Sequence, residues 1–371
     1  MSRLRVGVVG CGGIAQMMHL PYLRELDDRF ELVALADTDI NTLEQVANHY
    51  GVVGRYQDVD RLLAEPLDVV MVLTSGDHTA ITLAALETGR HVFVEKPVSY
   101  TLRQTDEVIE RARQQGKFVM VGMMKQYDPG YRRGVEAVSA LKDLRYVDAR
   151  TLQADDAAYR THHPIFGGRP RPNGTEPDRL YGGDFDRAVQ SGILGNESID
   201  LLTEATGSTN PDVLTAYLLL ISSSIHDINV LKGVLGRPER VVNSHLWAGG
   251  TSFTAVLAYS GGPRVTYTWT LIPYLKNYQG EFSFFASDGR VHIRFPSPYL
   301  RNEPTLVDME EMEGEILKLS RLVTSYEEAF KLELLHLHEC ITQDRQPLTD
   351  AAGYREDLEV LIEIARTFDE C

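Results

Sequence analysis

From residue 4 to about residue 123 the chain alternates short β-branched runs with helical patterns, and this alternation constrains the fold more than any other feature. The runs are "LRVGVVG", "FELVALAD", "VVMVLT", "HVFVE" and "FVMVG". The segments between them include "INTLEQVANHY", "HTAITLAALETG" and "LRQTDEVIERARQQG", with apolar residues at helical spacing. Strands without in/out alternation are buried on both faces, and successive βα units make a parallel sheet covered by helices. A doubly wound α/β domain is predicted over residues 1–124.

Beyond residue 124 the strands lengthen and alternate: "LRYVDARTLQA", "ERVVNSHLWAGG", "SFTAVLAYSGG", "RVTYTWTLIP", "EFSFFASDG" and "RVHIRF", several joined by Gly-rich turns. That pattern predicts an antiparallel sheet. Helices are expected over Val213–Leu235, Ser325–Thr342 and Asp350–Phe368, making an α+β domain over 125–371. Residues 155–212 hold Gly- and Pro-rich stretches ("IFGGRPRPNGTEP") and one helical stretch near "FDRAVQSGI". An insertion of about sixty residues is expected to be a lid, a binding loop or an oligomer contact.

The formal net charge of −16 sets most of the surface against phosphate backbones and anionic membranes, so neither nucleic acid nor a membrane is an expected partner. Three cysteines, Cys11, Cys340 and Cys371, form no disulfide framework, which fits a reducing, cytoplasmic setting. "MSRLRVGVVG" has no signal-peptide pattern. The richest apolar stretch, "VLTAYLLLISSSI", is broken by Thr215, Tyr217 and three serines and reads as a buried helix.

"VGVVGCGGIAQ" places Gly10, Gly12 and Ala15 as G-x-G-x-x-A between the first strand and a helix. Glycine at 10 permits the tight turn, glycine at 12 lets backbone approach a pyrophosphate, and the helix start offers N–H groups to the anion. Gly10, Gly12, Gly13 and Ile14 are therefore the expected cradle of a dinucleotide. The second strand ends at Asp37, about 20 residues on, where a carboxylate accepts from an adenosine ribose and repels a 2′-phosphate. NAD is expected over NADP. The competing role for Asp37 is to cap the following turn.

"HVFVEKPVS" is an apolar strand that ends in a lysine. At the carboxyl edge of a parallel sheet Lys96 would face the cofactor crevice, where an amine can exchange protons; alternatively, Glu95 and Lys96 are a solvated pair. Together "GCGGIA", "ALAD", "VLTSGDHTAITLAALETGRHVFVEKPVS", "VGMMKQYDPGY", "SSIHDINVLKGVLG" and "HLHECITQDRQPLTDAAGYREDLEVL" resemble the Gfo/Idh/MocA oxidoreductases, the family of glucose-fructose oxidoreductase and inositol dehydrogenase. The likeness extends over almost the whole chain except residues 155–212. It implies a Rossmann domain followed by a domain on a large open antiparallel sheet, and hydride transfer between NAD(P) and a sugar or cyclitol hydroxyl. It also implies a cis Lys96–Pro97 bond and a homodimer or homotetramer. On that likeness Lys96 is the catalytic lysine, Glu95 orients it, and Thr74, Ser75 and His78 form a cofactor-contacting turn, with Ser75 where proline is common.

"LLLISSSIHDINVLKGVLG" puts Ser222, His226, Asn229 and Gly233 at i, i+4, i+7 and i+11, a narrow polar stripe expected to face a cleft. A core histidine, with Ser222 bonded back to its own helix, is the alternative. In the resembling family this histidine takes the hydroxyl proton and an aspartate stands four residues before it. Here Ser222 occupies the aspartate's place, which leaves His226 without that charge. Lys125, Gln126 and Tyr127 of "KQYDPGY" are candidate substrate contacts, although the segment also reads as a turn closed by Asp128-Pro129-Gly130. The insertion adds His162, His163, Tyr181 and Asp184, of which His163 and Tyr181 are candidate substrate contacts. No metal-ligand spacing occurs.

The expected activity is an NAD-dependent dehydrogenase or ketoreductase acting on a sugar, sugar derivative or cyclitol. The replaced aspartate keeps two others open: glycoside cleavage through transient sugar oxidation by a retained NAD, and a non-catalytic NAD-binding sensor or subunit.

Overall fold

The computed structural model describes residues 3–154, 157–167, 195–272 and 275–368. The chain forms two compact units, and residues 3–124, 160–167 and 330–355 make the first. Its six strands are β1 (Leu4–Val9), β2 (Phe30–Ala36), β3 (Gly54–Tyr56), β4 (Val69–Val72), β5 (His91–Val94) and β6 (Val119–Val121). All pair in parallel, in the order β3-β2-β1-β4-β5-β6. Val6, Val8, Val70, Met71, Val92 and Phe93 are completely buried, which is why these runs lack alternation. Each such side chain contributes roughly 1.5–3 kcal/mol.

Local signals set the helix boundaries. The Asp39 carboxylate accepts from Asn41 N–H at the start of Ile40–Tyr50, and Gly51 ends that helix at φ +70°. Thr101 and Gln104 form a reciprocal capping box on Leu102–Gln115. The strand order changes direction between β1 and β4, and in open parallel sheets the carboxyl ends of the strands at such a switch point are where ligands bind.

Two features of this unit depart from the sequence reading. β3 is only three half-buried residues, too short to show a pattern. Residues 330–355, assigned above to the second domain, pack into the first unit by contact. The reason lies at β6, the edge strand: Val121 N–H donates to Thr349 O at 2.7 Å, Thr349 Oγ1 donates to Val121 O at 2.8 Å, and Tyr354 OH donates to Ser99 O at 2.8 Å. The segment covers backbone groups that an edge would otherwise leave bare.

The second unit is built on eight strands: β7 (Leu144–Gln153), β8 (Arg240–Trp247), β9 (Ser252–Ala258), β10 (Arg264–Leu271), β11 (Gln279–Ala286), β12 (Gly289–Phe295), β13 (Leu306–Glu313) and β14 (Ile316–Val323). Their order is β14-β13-β12-β11-β7-β10-β9-β8. The expected antiparallel sheet is mixed at one place, because β7 in its middle runs parallel to β10. One face is core, with Val147, Ala149, Val265, Tyr267, Trp269, Phe253, Phe282 and Ile293 completely buried. The other face exposes Tyr146 and Trp247. β13 and β14, the last two strands on one side of the sheet, went unread in the sequence because they are charged and their outer apolar residues, Met312, Ile316, Leu317 and Leu319, stay exposed.

The expected helix over Val213–Leu235 is present as Pro211–Leu219, a π-helical turn Leu220–Ser224, and Ile225–Leu235. Pro211–Leu235 is long and apolar enough to cross a membrane, and 78% of its apolar window is buried inside the protein. Within the insertion a helix forms at Asn196–Thr206; the "FDRAVQSGI" helix, Tyr181 and Asp184 lie outside the described residues.

Candidate active site

The glycine turn is held on three sides within the first unit. Gly10 has φ +96°, and a Cβ there would come within 2.6 Å of Thr74 N, so only glycine lets the turn lie against the end of β4. Gly10 N–H donates to Ala36 O at 2.8 Å. Gly12 and Gly13 are exposed, and a Cβ on Gly12 would meet nothing within 4 Å. That open side is where a pyrophosphate could approach the backbone. Ile14 is half-buried, and the helix opens with the π-helical turn Ala15–His19.

Asp37 serves this turn directly. Its Oδ2 accepts from Cys11 N–H at 2.7 Å and its Oδ1 from Asp39 N–H at 2.9 Å. The carboxylate thus both closes the next turn and braces the glycine turn, while remaining half-exposed. Burial, then the charge of Asp37, pushes the Cys11 thiol up to about 12, so it stays a protonated packing group. Thr38 is exposed, and the nearby guanidinium of Arg55 is engaged by Glu44 at 2.5 Å and Val52 O at 2.9 Å.

Among the residues after β4, Ser75 is exposed and His78 is only 1% exposed. The two ring nitrogens of His78 lie 2.7 Å from Pro97 O and 2.8 Å from Thr74 O. It therefore ties the turn after β4 to the turn after β5 and offers no free nitrogen to a cofactor. Thr74 Oγ1 is buried and has no hydrogen-bond partner among the described residues.

Lys96 follows β5, half-buried, and its bond to Pro97 is cis. Glu95 is not a solvated partner for it. The carboxylate is 5% exposed, and its Oε1 lies 2.8 Å from His19 Nε2 while Oε2 accepts from Lys96 N–H at 3.2 Å. Burial alone would raise its pKa, but the hydrogen bond and charge of His19, with Lys96 and His78, bring it below the usual carboxylate value. His19 was missed in the sequence reading; a histidine inside the apolar run "MMHL" was its only local signal.

In the second unit the polar stripe divides. Ser222 and His226 are half-buried, and Ser222 Oγ donates to Leu218 O at 2.6 Å, bonding back to its own helix. Asn229 is buried: its Nδ2 donates to Asp357 Oδ2 at 2.6 Å and its Oδ1 accepts from Gln126 Nε2 at 2.8 Å. Gly233 is exposed, yet a Cβ there would come within 2.1 Å of Tyr131 OH, so this end of the stripe lies against Tyr131 rather than along an open cleft. The π-helical turn adds to the split, because it widens the spacing just before His226.

The "KQYDPGY" segment is likewise interior. Lys125, 7% exposed, pairs with Asp227 Oδ1 at 2.8 Å and stands over the rings of Phe282 and Phe295, 5.7 and 4.6 Å from their centroids. Asp227 also accepts from Thr151 Oγ1 at 2.8 Å and Tyr267 OH at 3.0 Å. Desolvation would lower the lysine's pKa, but the Asp227 charge overrides it and holds the ammonium above its usual value. Tyr127 is 1% exposed, and Asp128 caps the helix Pro129–Ser139. Lys125, Gln126, Tyr127 and Asn229 are thus structural side chains, a correction to their expected role as substrate contacts. Their polarity serves buried partners that lie far away in sequence. His163 is half-buried in the 160–167 segment of the first unit, and Lys96 and His226 belong to different units.

A family model described as an oxidoreductase family with an NAD-binding Rossmann fold matches residues 4–123. Myo-inositol 2-dehydrogenase of Thermotoga maritima is 31% identical over 137 residues, covering 36% of this chain and 40% of that protein. D-glucoside 3-dehydrogenase of Escherichia coli is 38% identical over 118 residues, covering 31% of this chain and 33% of that protein. The chain therefore matches well under half the length of these relatives. Across 99% of the chain the fold is that of a 3-ketoreductase from Actinomadura kijaniata solved with TDP-benzene and NADP, at TM-score 0.71, 17% identity and 98% coverage of that chain. A UDP-N-acetylglucosamine 3-dehydrogenase from Acidithiobacillus ferrooxidans gives TM-score 0.72 at 16% identity, with the same 99% and 98% coverage.

Proposed function

We propose, from the match of residues 4–123 to the Gfo/Idh/MocA oxidoreductase family, that this protein is an NAD-dependent dehydrogenase or ketoreductase of a sugar, sugar derivative or cyclitol. The observation that carries the reading is the pairing of an open glycine turn braced by Asp37 with Lys96 at the carboxyl edge of the same sheet, backed by the buried Glu95. The names of the curated relatives, a myo-inositol 2-dehydrogenase and a D-glucoside 3-dehydrogenase, support the substrate class.

Gly10, Gly12, Gly13 and Ile14 would hold the pyrophosphate of the dinucleotide, with Asp37 at the ribose and Thr74 and Ser75 along its far side. The bound nicotinamide supplies the hydride acceptor. Lys96 and His226 are assigned the hydroxyl proton. Ser222, spent on Leu218 O, gives His226 no negative charge, which shifts proton work toward Lys96. NAD is preferred to NADP because Asp37 would repel a 2′-phosphate and Arg55 is already engaged. The open face of the eight-stranded sheet, with Tyr146 and Trp247 exposed, is read as a self-association surface of a homodimer or homotetramer.

The deciding experiment is Lys96→Ala assayed with NAD and a panel of polyols and keto-sugars. Turnover should fall by about three or more orders of magnitude while NAD still raises Tm. Near-normal turnover in the variant would refute the assignment.

A further inference from the structure

Behind Lys96 the first unit buries three titratable side chains that local sequence does not connect. Glu95 follows β5, His19 ends the π-helical turn, and Glu333 sits on the helix Ala329–Thr342; His19 and Glu333 are completely buried. Glu95 has donors on both oxygens, from His19 Nε2 and from Lys96 N–H, and the charges of Lys96 and His78 add to its stabilisation as an anion. Glu333 has nothing comparable. Among the described residues neither of its oxygens finds a hydrogen bond of normal geometry. Burial first, then the charge of Glu95, push its pKa well above the usual carboxylate range, and the Met123 N–H offsets this only in part. His19 Nδ1 also has no partner among the described residues, and the ring is boxed edge-on by Phe93 at 5.2 Å and Phe330 at 5.6 Å.

Desolvation and like-charge repulsion act together on two carboxyl groups in one dry site, so the proton settles on the one without donors. We propose that His19, Glu95 and Glu333 form a cluster with a single carboxylate anion behind Lys96, in which His19 pins the anion on Glu95 and Glu333 carries the proton. His19 and Glu333 are then positioning residues that act on the lysine through Glu95. One anion attracts the Lys96 ammonium, whose charge in turn helps to lower the Glu95 pKa. A second would hold that proton too tightly for an amine that must exchange it. The inference rests on the reading of Lys96 as the reacting amine.

Competitive acetic anhydride labelling across pH, read peptide by peptide by mass spectrometry, follows Lys96 without needing a substrate. Glu95→Gln and His19→Leu should each move the Lys96 labelling profile to lower pH, by roughly one unit. His19→Gln, whose amide can donate the same hydrogen bond, should restore it. The double variant should shift no further than Glu95→Gln alone, because both act through one carboxylate. An unmoved profile in Glu95→Gln, or additive shifts, overturns the cluster. If His19→Leu fails to fold, Glu95→Gln and His19→Gln still decide.

Glu333 has its own readout. A carboxyl group whose folded value is raised stabilises the fold below its unfolded pKa, about 4.3, and loses that contribution as pH rises. Glu333→Gln, a permanent mimic of the neutral acid, should therefore melt higher than the wild type, with the gap widening from about pH 4.5 upward. A Glu333→Gln protein that melts lower at neutral pH would overturn the assignment of the proton. A shifted labelling profile without turnover on any polyol discards the proposed reaction and leaves the cluster standing; turnover with an unmoved profile does the reverse.

Discussion

The side-chain amide of Gln16 grips the backbone of Phe166 from both sides: Phe166 N–H donates to Gln16 Oε1 at 2.6 Å, and Gln16 Nε2 donates to Phe166 O at 3.1 Å. The same Nε2 donates to Cys11 O at 2.7 Å, inside the glycine turn. Phe166 also packs on His49 at 4.6 Å, and Gly167, at φ +70°, lies so close to Thr42 that a Cβ would come within 2.2 Å of its Oγ1. The insertion is therefore anchored beside the proposed cofactor cradle. Gln16→Ala leaves three backbone groups without this partner and is expected to weaken NAD binding about tenfold, equivalent to roughly 1.4 kcal/mol. Faster hydrogen exchange at the Phe166 amide should accompany the calorimetric change. Unchanged exchange would show that the anchor is not needed.

Lys125→Met separates a structural lysine from a substrate ligand. Removing the ammonium leaves Asp227 buried with only Thr151 and Tyr267, and breaking such a pair costs about 3–5 kcal/mol. Urea denaturation should show that loss directly. A variant of normal stability with a raised KM would return Lys125 to the substrate site.

How far the sequence carries follows from what each residue touches. The runs of β1, β2, β4, β5 and β6 were legible because helices cover both faces, and the tip of β5 could be read because a lysine ending such a run is anomalous. The parallel pairing of β7 with β10 left no trace, since both strands alternate as antiparallel strands do. Asn229 and Lys125 were misplaced for a different reason. Helical spacing identifies a polar face but not the buried Asp357 or Asp227 that meets it. His19 and Glu95 are joined only by the fold, and no local pattern reports that pairing.

Asp37→Ala tests the cofactor preference and the brace together. The carboxylate's charged hydrogen bond to Cys11 N–H, and the one proposed for it to the ribose, would each be worth about 1.5–3 kcal/mol. We expect kcat/KM with NAD to fall roughly 10- to 100-fold, with a smaller loss for NADP because the repulsion of a 2′-phosphate is removed. A ratio of the two cofactors that does not move would separate Asp37 from selectivity and leave it as a turn residue.

His226→Asn retains a polar side chain and removes the proposed base. As a proton acceptor His226 should contribute about 10²–10⁴ to kcat, with KM little changed. Steady-state kinetics, with NAD binding measured separately, checks this. An equal loss in NAD affinity would instead mark a folding defect in the helix.

Asp357 supplies a pH dependence whose sign is fixed by its surroundings. Burial pushes its carboxyl up to about 6, against the opposing charge and hydrogen bond of Lys232 and the hydrogen bond of Asn229, with Glu356 adding a smaller raising effect. The folded value lies above the unfolded one, about 3.9, so its contribution is complete below about pH 4 and disappears as pH rises through about 6. The span corresponds to an upper bound of about 3 kcal/mol. Asp357→Asn can still accept from Asn229, and Lys232 retains Glu356 at 3.4 Å. Urea titrations at several pH values should therefore show the wild type losing ground to the variant between about pH 4 and pH 7. If the wild type instead gains on the variant over that range, the Lys232 pair outweighs burial and Asp357 is an ordinary buried anion.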